Sequence, residues 1–264
     1  MKISVIIATK NEVKNIARCL RSLKHQTFAN FEIIIVDNYS TDRTLQIASK
    51  FTNKVFEKGK ERSVQRNFGL TKARGQYILS LDADMTLEDK ILEQCYQKLR
   101  NNHQLAGIII NEVSIGKSFL ARIKALEKKL TTGEELLEAA RFFRKKDLLA
   151  IGGYDENLIA GEDWDLSQRM KKVGSFGRIS AKIRHFENHS IIEDISKKYY
   201  YAKHIQKYRL KHLNEFKKQA GTFNRLRVLF REPKMIFRNP VEFAGLLLLK
   251  FAHYLAYLAA KVNK

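Results

Sequence analysis

Residues 3–99 alternate four times between a short apolar run and a stretch with helical periodicity, and few folds accommodate that order. Residues 3–8, 31–36, 55–56 and 77–81 read as buried strands. Residues 13–23, 41–51, 63–73 and 87–99 repeat apolar side chains every three or four positions, as Ile16, Ala17, Leu20 and Leu23 do. Strands and helices in strict alternation form βαβ units, which build a mostly parallel sheet with helices on both faces. Ser40 or Thr41 is placed to cap the second helix, and Gly75 to close the third in a left-handed turn. After about Leu105 the pattern loosens, with strands expected at 106–110, 140–143 and 179–184.

The formal net charge of +21 calls for an anionic partner: nucleic acid, an anionic membrane surface or a phosphorylated substrate. Cys19 and Cys95 lie far apart in helical patterns and form neither a disulfide framework nor a zinc knuckle, which fits a reducing compartment. Met1 leads directly into a strand, with an apolar run too short for a signal peptide, so a cytoplasmic protein is expected.

Three segments carry chemistry. The strand at 77–81 ends in Asp82-Ala83-Asp84, two carboxylates one residue apart at the edge where open α/β sheets bind ligands. Such hard oxygen donors suit Mg²⁺ or Mn²⁺ shared with a diphosphate, although turn chemistry produces the same pattern. The strand at 31–36 ends in Asp37, followed by Asn38, Tyr39, Ser40, Thr41 and Asp42. Asp37 suits a hydrogen bond to a nucleotide base or ribose, or equally an Asx turn. Gly152-Gly153-Tyr154-Asp155-Glu156 leads to Gly161-Glu162-Asp163-Trp164-Asp165, which sets carboxylates at a helix start. There they serve as a general base, as caps, or as both, with Asp165 capping and Asp163 reacting.

Taken together with residues 5–12 and 66–78, these segments resemble a family 2 glycosyltransferase of the nucleotide-sugar-binding GT-A fold over residues 1 to about 190. The resemblance implies an α/β catalytic domain over 1–190 and a basic helical region over 191–264. It implies a donor pocket formed by Thr9, Asn11, Glu12, Asp37, Arg66 and Asp82, with Arg66 near the diphosphate. Asp84 then holds Mn²⁺ or Mg²⁺, Asp163 is the catalytic base and Glu162 stands beside it. His185 is the matching late histidine for the metal, with His189 as the alternative; an ordinary surface or core histidine is the competing reading of each. The donor is a UDP- or GDP-sugar, and one carboxylate suffices for a single inverting displacement. Two departures stand out. Ala8-Thr9 replaces the Pro-x-Tyr of many members, which leaves the base-stacking partner open. Ser167-Gln168-Arg169-Met170 lacks the Gln-x-x-Arg-Trp of processive synthases, so one sugar per encounter is expected.

Residues 196–238 hold thirteen Lys/Arg against two Glu, a net of +11. On a helical wheel of the apolar tail, Asn239, Glu242, Lys250, His253, Tyr257 and Lys261 form one polar stripe opposite Leu247, Phe251 and Leu258. Lys250 stands near the middle, where charge is costly in a bilayer, so an amphipathic helix in the membrane interface is expected rather than a span. The acceptor expected from this is a glycan or lipid-linked, polyprenyl-phosphate-type group at the cytoplasmic membrane face. Alternatives are a soluble acceptor with the tail forming a homo-oligomer, and a nucleic-acid-binding module, for which no recognisable motif is present.

Overall fold

The structure, a computed structural model, describes residues 1–187 and 190–262. His189 lies outside the described residues. In chain order the first elements are β1 (Ile3–Thr9), α1 (Ile16–Lys24), β2 (Phe31–Asp37), α2 (Thr44–Ala48), β3 (Val55–Glu57) and α3 (Arg62–Lys72). Then come β4 (Tyr77–Asp82), β5 (Met85–Leu87), α4 (Ile91–Asn101), β6 (Leu105–Ile109), β7 (Glu112–Ile115) and α5 (Phe119–Thr131). β8 (Phe142–Arg144), α6 (Lys145–Ala150), α7 (Glu162–Met170), β9 (Ser175–Arg178) and β10 (Ile183–Phe186) follow. Helices complete the chain: α8 (Ile191–His204), α9 (Gln206–Lys211), α10 (Leu213–Ala220), α11 (Thr222–Leu229), α12 (Pro233–Arg238) and α13 (Pro240–Val262). They form two units, one of residues 1–112, 139–156 and 162–185, the other of residues 113–138, 157–161 and 186–264.

In the first unit seven strands form one sheet, ordered β3-β2-β1-β4-β8-β6-β9. β1 is parallel to β2 and β4, β2 is parallel to β3, and β8 runs antiparallel between β4 and β6. Side chains alternate across a strand, so β1 supplies two cores. Ile3, Val5 and Ile7 pack with Leu20 of α1 and Leu92 of α4, while Ile6 packs with Leu70 of α3 and Met170 of α7. Helices therefore cover both faces, as the sequence pattern requires.

Several local expectations change. Gly75 is not among the glycines with positive φ. Its bare Cα is needed because a Cβ there would lie 2.5 Å from the Ser4 amide nitrogen, where the chain passes close to β1. Helix α2 starts later than expected because Ser40 and Thr41 are committed to the loop before it: the Ser40 amide donates to Asp37, and that of Thr41 to Asn11. Asp42 is the residue that accepts from the Thr44 amide, at 2.9 Å. The strand expected at 179–184 falls mostly on a connection: β9 ends at Arg178, residues 180–181 bend, and β10 starts at Ile183. β10 then pairs antiparallel with β5, placing His185 opposite Met85.

The second unit has its own core. Leu120, Ile123, Leu126 and Leu130 of α5 pack with Leu229 and with Phe243, Leu246 and Leu249 of α13. Helix α8 opens with a reciprocal capping box: Ser190 Oγ accepts from the Glu193 amide, and Glu193 accepts from the Ser190 amide. The basic segment of residues 196–238 lies within this unit. It is joined by α5, from the middle of the sequence, which folds with it.

Candidate active site

Parallel register gathers the acids. Thr9 at the end of β1 stands opposite Asp37 of β2, and Ala8 opposite Asp82 of β4, so three strands deliver polar side chains to one edge. Thr9 and Asp37, both expected in the donor pocket, are brought together but turned inward. Thr9 Oγ1 donates to Asp37 Oδ1 at 2.6 Å, and Ser40 donates to the same carboxylate through its amide and its hydroxyl. Both residues are buried, and the Gln65 amide donates to the carbonyls of Thr9 and Val36 behind them. With its oxygens occupied in this way, Asp37 shapes the loop instead of facing outward.

Asn11 and Glu12 occupy that loop. Asn11 has φ 54°, a left-handed conformation that asparagine tolerates, and it exchanges hydrogen bonds with Ser40 and Thr41. The Glu12 amide donates to Thr44 Oγ1, and its carboxylate accepts from Asn15. The β1 and β2 loops are thus tied side chain to backbone. Tyr39, which sequence reasoning left unassigned, also has positive φ (49°) and an exposed ring.

Arg66 of α3 is the centre of the site. It is 1% exposed, and its guanidinium collects three acids. Nη1 lies 2.7 Å from Asp163 Oδ1 and 3.8 Å from Glu162 Oε1, and Nη2 lies 2.8 Å from Asp82 Oδ1. The Tyr154 ring stacks against it, with its centroid 5.1 Å from the guanidinium carbon. Both terminal nitrogens of Arg66 are thus held by carboxylates, while its buried Nε has no hydrogen-bond partner. The motifs at 66–67 and 152–156 fit together through the next residue. Asn67 bonds the Tyr154 amide and carbonyl at 2.8 and 2.9 Å, and Gly153, at φ 69°, leaves no Cβ to strike the Asn67 side chain.

Asp82 is also held by Arg141 Nη1 at 3.2 Å, and Arg141 in turn pairs with Glu112 at 2.7 Å. Sequence reasoning missed Arg141, which lies within the strand expected at 140–143 and was given no role. Burial works against charge on Asp82, but Arg141, Arg66 and Arg62 outweigh it and hold the carboxyl far below its usual range. Glu162 goes the other way: burial, then the neighbouring Asp163, raises its pKa despite Arg62 at 2.9 Å. The two adjacent acids at the start of α7 thus differ. Glu162 is buried, whereas the Asp163 side chain is 30% exposed. Asp165 does not cap α7; it is buried inside the helix and pairs with Arg169 at 2.7 Å.

Asp84 and His185 meet, as expected. Asp84 Oδ2 lies 2.9 Å from His185 Nε2, while Asp84 Oδ1 is buried with no hydrogen-bond partner. Among the described residues no three His, Cys, Asp or Glu side chains group as a metal cage.

A family model described as glycosyl transferase family 2 matches residues 4–154. The chain belongs to that family. Chondroitin synthase of Escherichia coli is 28% identical over 204 residues, covering 72% of this family 2 chain and 30% of the synthase. The chain therefore spans less than a third of that relative's length. Among solved structures, Staphylococcus aureus TarS 1–349 in complex with UDP-GlcNAc superposes with a TM-score of 0.59 at 22% identity, covering 98% of this chain and 79% of that one. Mannosyltransferase PcManGT from Pyrobaculum calidifontis, in complex with GDP-Man and Mn²⁺, gives 0.64 at 16% identity, covering 99% and 86%. At these identities the likeness shows the fold, which is the GT-A architecture expected from the sequence.

Proposed function

We propose that this family 2 chain is an inverting, metal-dependent, non-processive glycosyltransferase that moves a sugar from a UDP- or GDP-sugar to an acceptor hydroxyl. The observation that carries the reading is the Arg66 array, which fixes one partly exposed acid, Asp163, next to the donor-side acid Asp82. The UDP-GlcNAc and GDP-Man bound by the two structural relatives support a nucleotide-sugar donor with either base.

In this reaction the acceptor oxygen bonds to the anomeric carbon as the carbon–diphosphate bond breaks on the opposite face. Asp163 accepts the hydroxyl proton in the same step. Glu162 is unsuited to that task, because it is buried against Arg62 and Arg66. The nucleoside diphosphate leaves with the bonding electron pair. Asp84 and His185 would hold the Mn²⁺ or Mg²⁺. The unpartnered Asp84 Oδ1, a hard oxygen donor, fits that use. When bound, the ion supplies neutralisation of charge developing on the leaving diphosphate. For the acceptor we favour a glycan on a lipid or polyprenyl phosphate at the cytoplasmic face of a membrane, supported by the +11 net charge of residues 196–238.

Asp163→Asn keeps the shape and its hydrogen bond to Arg66 while removing the base. Transfer from the donor identified in a screen of UDP- and GDP-sugars should fall ~10²–10⁴-fold with donor affinity preserved. Turnover within a few-fold of the parent would remove Asp163 from the mechanism.

A further inference from the structure

Helix α13 half-buries most of its polar stripe against its own unit and exposes an apolar one. Lys250 Nζ meets Glu127 Oε1 of α5 at 2.5 Å, His253 Nε2 meets Asp194 Oδ2 of α8 at 2.7 Å, and Glu242 Oε1 accepts from Arg122 of α5 at 3.1 Å. Lys124 of α5 ties the same Asp194 to Glu187. On that side Phe243, Leu246, Leu249, Ala256 and Ala260 are buried. Leu247, Leu248, Phe251, Leu255, Leu258 and Val262 are exposed, Leu248 by 71% and Phe251 by 61%. At 100° per residue these six fill an arc of about 100°. The stripe expected from the helical wheel is present. It is the side by which the helix is fastened to its own unit.

Three occupants fit an open apolar face of this kind. A second copy would bring together two chains that each carry +21, and the +11 segment immediately precedes the helix in both. A membrane span is allowed by length and composition, since the 23 residues of α13 are apolar enough to cross. Spanning would nevertheless pull Lys250 and His253 into hydrocarbon, leave Glu127 without Lys250 and leave Asp194 with Lys124 alone. An anionic bilayer lying against the face breaks no pair, and its phosphates match the thirteen Lys/Arg of residues 196–238. We infer that the second unit docks on an anionic lipid bilayer through the outward face of α13, a folded insertion surface that enters the acyl boundary without spanning it. Leu248, Phe251 and Leu255 insert, and the adjoining lysines and arginines meet the head groups. This deepens the membrane-side acceptor reading above, and binding measured without donor or acceptor tests it separately from transfer.

The full-length chain is sedimented with vesicles of phosphatidylcholine alone or mixed with phosphatidylglycerol, at low and high NaCl. Binding should require the anionic lipid, weaken but persist at high salt, and leave the far-ultraviolet circular dichroism unchanged, because the helix is already formed. Leu248→Ser combined with Phe251→Ser, both exposed, should lower partitioning on the order of 100-fold with no loss of melting temperature. Four results would overturn the inference: no vesicle binding at low salt, helix gained on binding, resistance to alkaline extraction from native membranes (a span), or salt-stable self-association abolished by the double variant (a second copy).

Discussion

Both units bury ion pairs, and the two sets are arranged to opposite ends. In the first, one buried arginine draws three carboxylates inward, yet Asp163 keeps an open side. In the second, Lys250, His253 and Lys124 draw the charges between α5, α8 and α13 together on one side and leave hydrocarbon on the other. A buried ion pair adds little net stability over a well-packed apolar pair, so its persistence points to what it orients. Around Arg66 it orients reactive acids. Beneath α13 it orients a whole helix, and the product is a surface.

The sharpest way to break that comparison is Arg66→Met. Asp82, Glu162 and Asp163 would be left around an apolar side chain. Removal of one partner from a buried pair costs about 3–5 kcal/mol, and the urea midpoint should fall accordingly. Arg66→Lys keeps the charge but cannot span Asp82 and Asp163 with one planar fork, so it should recover part of the stability and little of the turnover. A methionine variant as stable as the parent would mean that Arg62 and Arg141 suffice to neutralise these acids.

Asp84→Asn sharpens the contrast inside the first unit, because Asp84 stands outside the Arg66 array and pairs with His185. Its stability should stay near the parent's, whereas Mn²⁺-dependent affinity for the nucleoside diphosphate should drop on the order of 100-fold, at least the loss seen for weaker perturbations of metal sites. Calorimetric titration with and without Mn²⁺ checks this. An unchanged metal-dependent increment would detach the ion from Asp84.

Much of this was legible in sequence, and what was missed shares a cause. The βαβ order, the acids at strand ends and the polar stripe of the tail follow from local periodicity, which one window of residues contains. Asp84 and His185 are 101 positions apart, yet both could be singled out, because each belongs to a recognisable segment, and the structure sets them side by side. The three acids around Arg66 could not be read in sequence, since an arginine looks the same there whether or not carboxylates from β4 and α7 converge on it. Arg141 and helix α5 were missed because their partners, Asp82 and Glu112 for one and α13 for the other, lie far away in the chain. For α13 periodicity shows that the helix has two faces, but the charges on α5 and α8, which no window of the tail contains, decide which face turns inward.

Lys250→Met tests that decision with the smallest effect. Burial opposes charge on Glu127, but Lys250 outweighs it, with lesser help from Lys198 and Arg225, and lowers the carboxyl from its ordinary 4.5 to about 2. A carboxyl depressed in the folded state adds stability above its unfolded pKa, and that increment fades as pH falls from 4.5 toward 2. The parent should therefore lose stability through this window on acidification. With Lys250→Met the Glu127 pKa moves back toward the unfolded value, so the acid-dependent slope should flatten, and stability at neutral pH should fall by about 1–2 kcal/mol. The effect stays below that of Arg66→Met because 24% of the Glu127 side chain faces solvent and two other cations remain nearby. Urea melts of both proteins at neutral and acidic pH supply the measurement. If the two lose stability in parallel as pH falls, the Lys250–Glu127 pair is not what fastens the polar stripe, and packing of Leu246 and Leu249 against α5 alone sets how α13 turns.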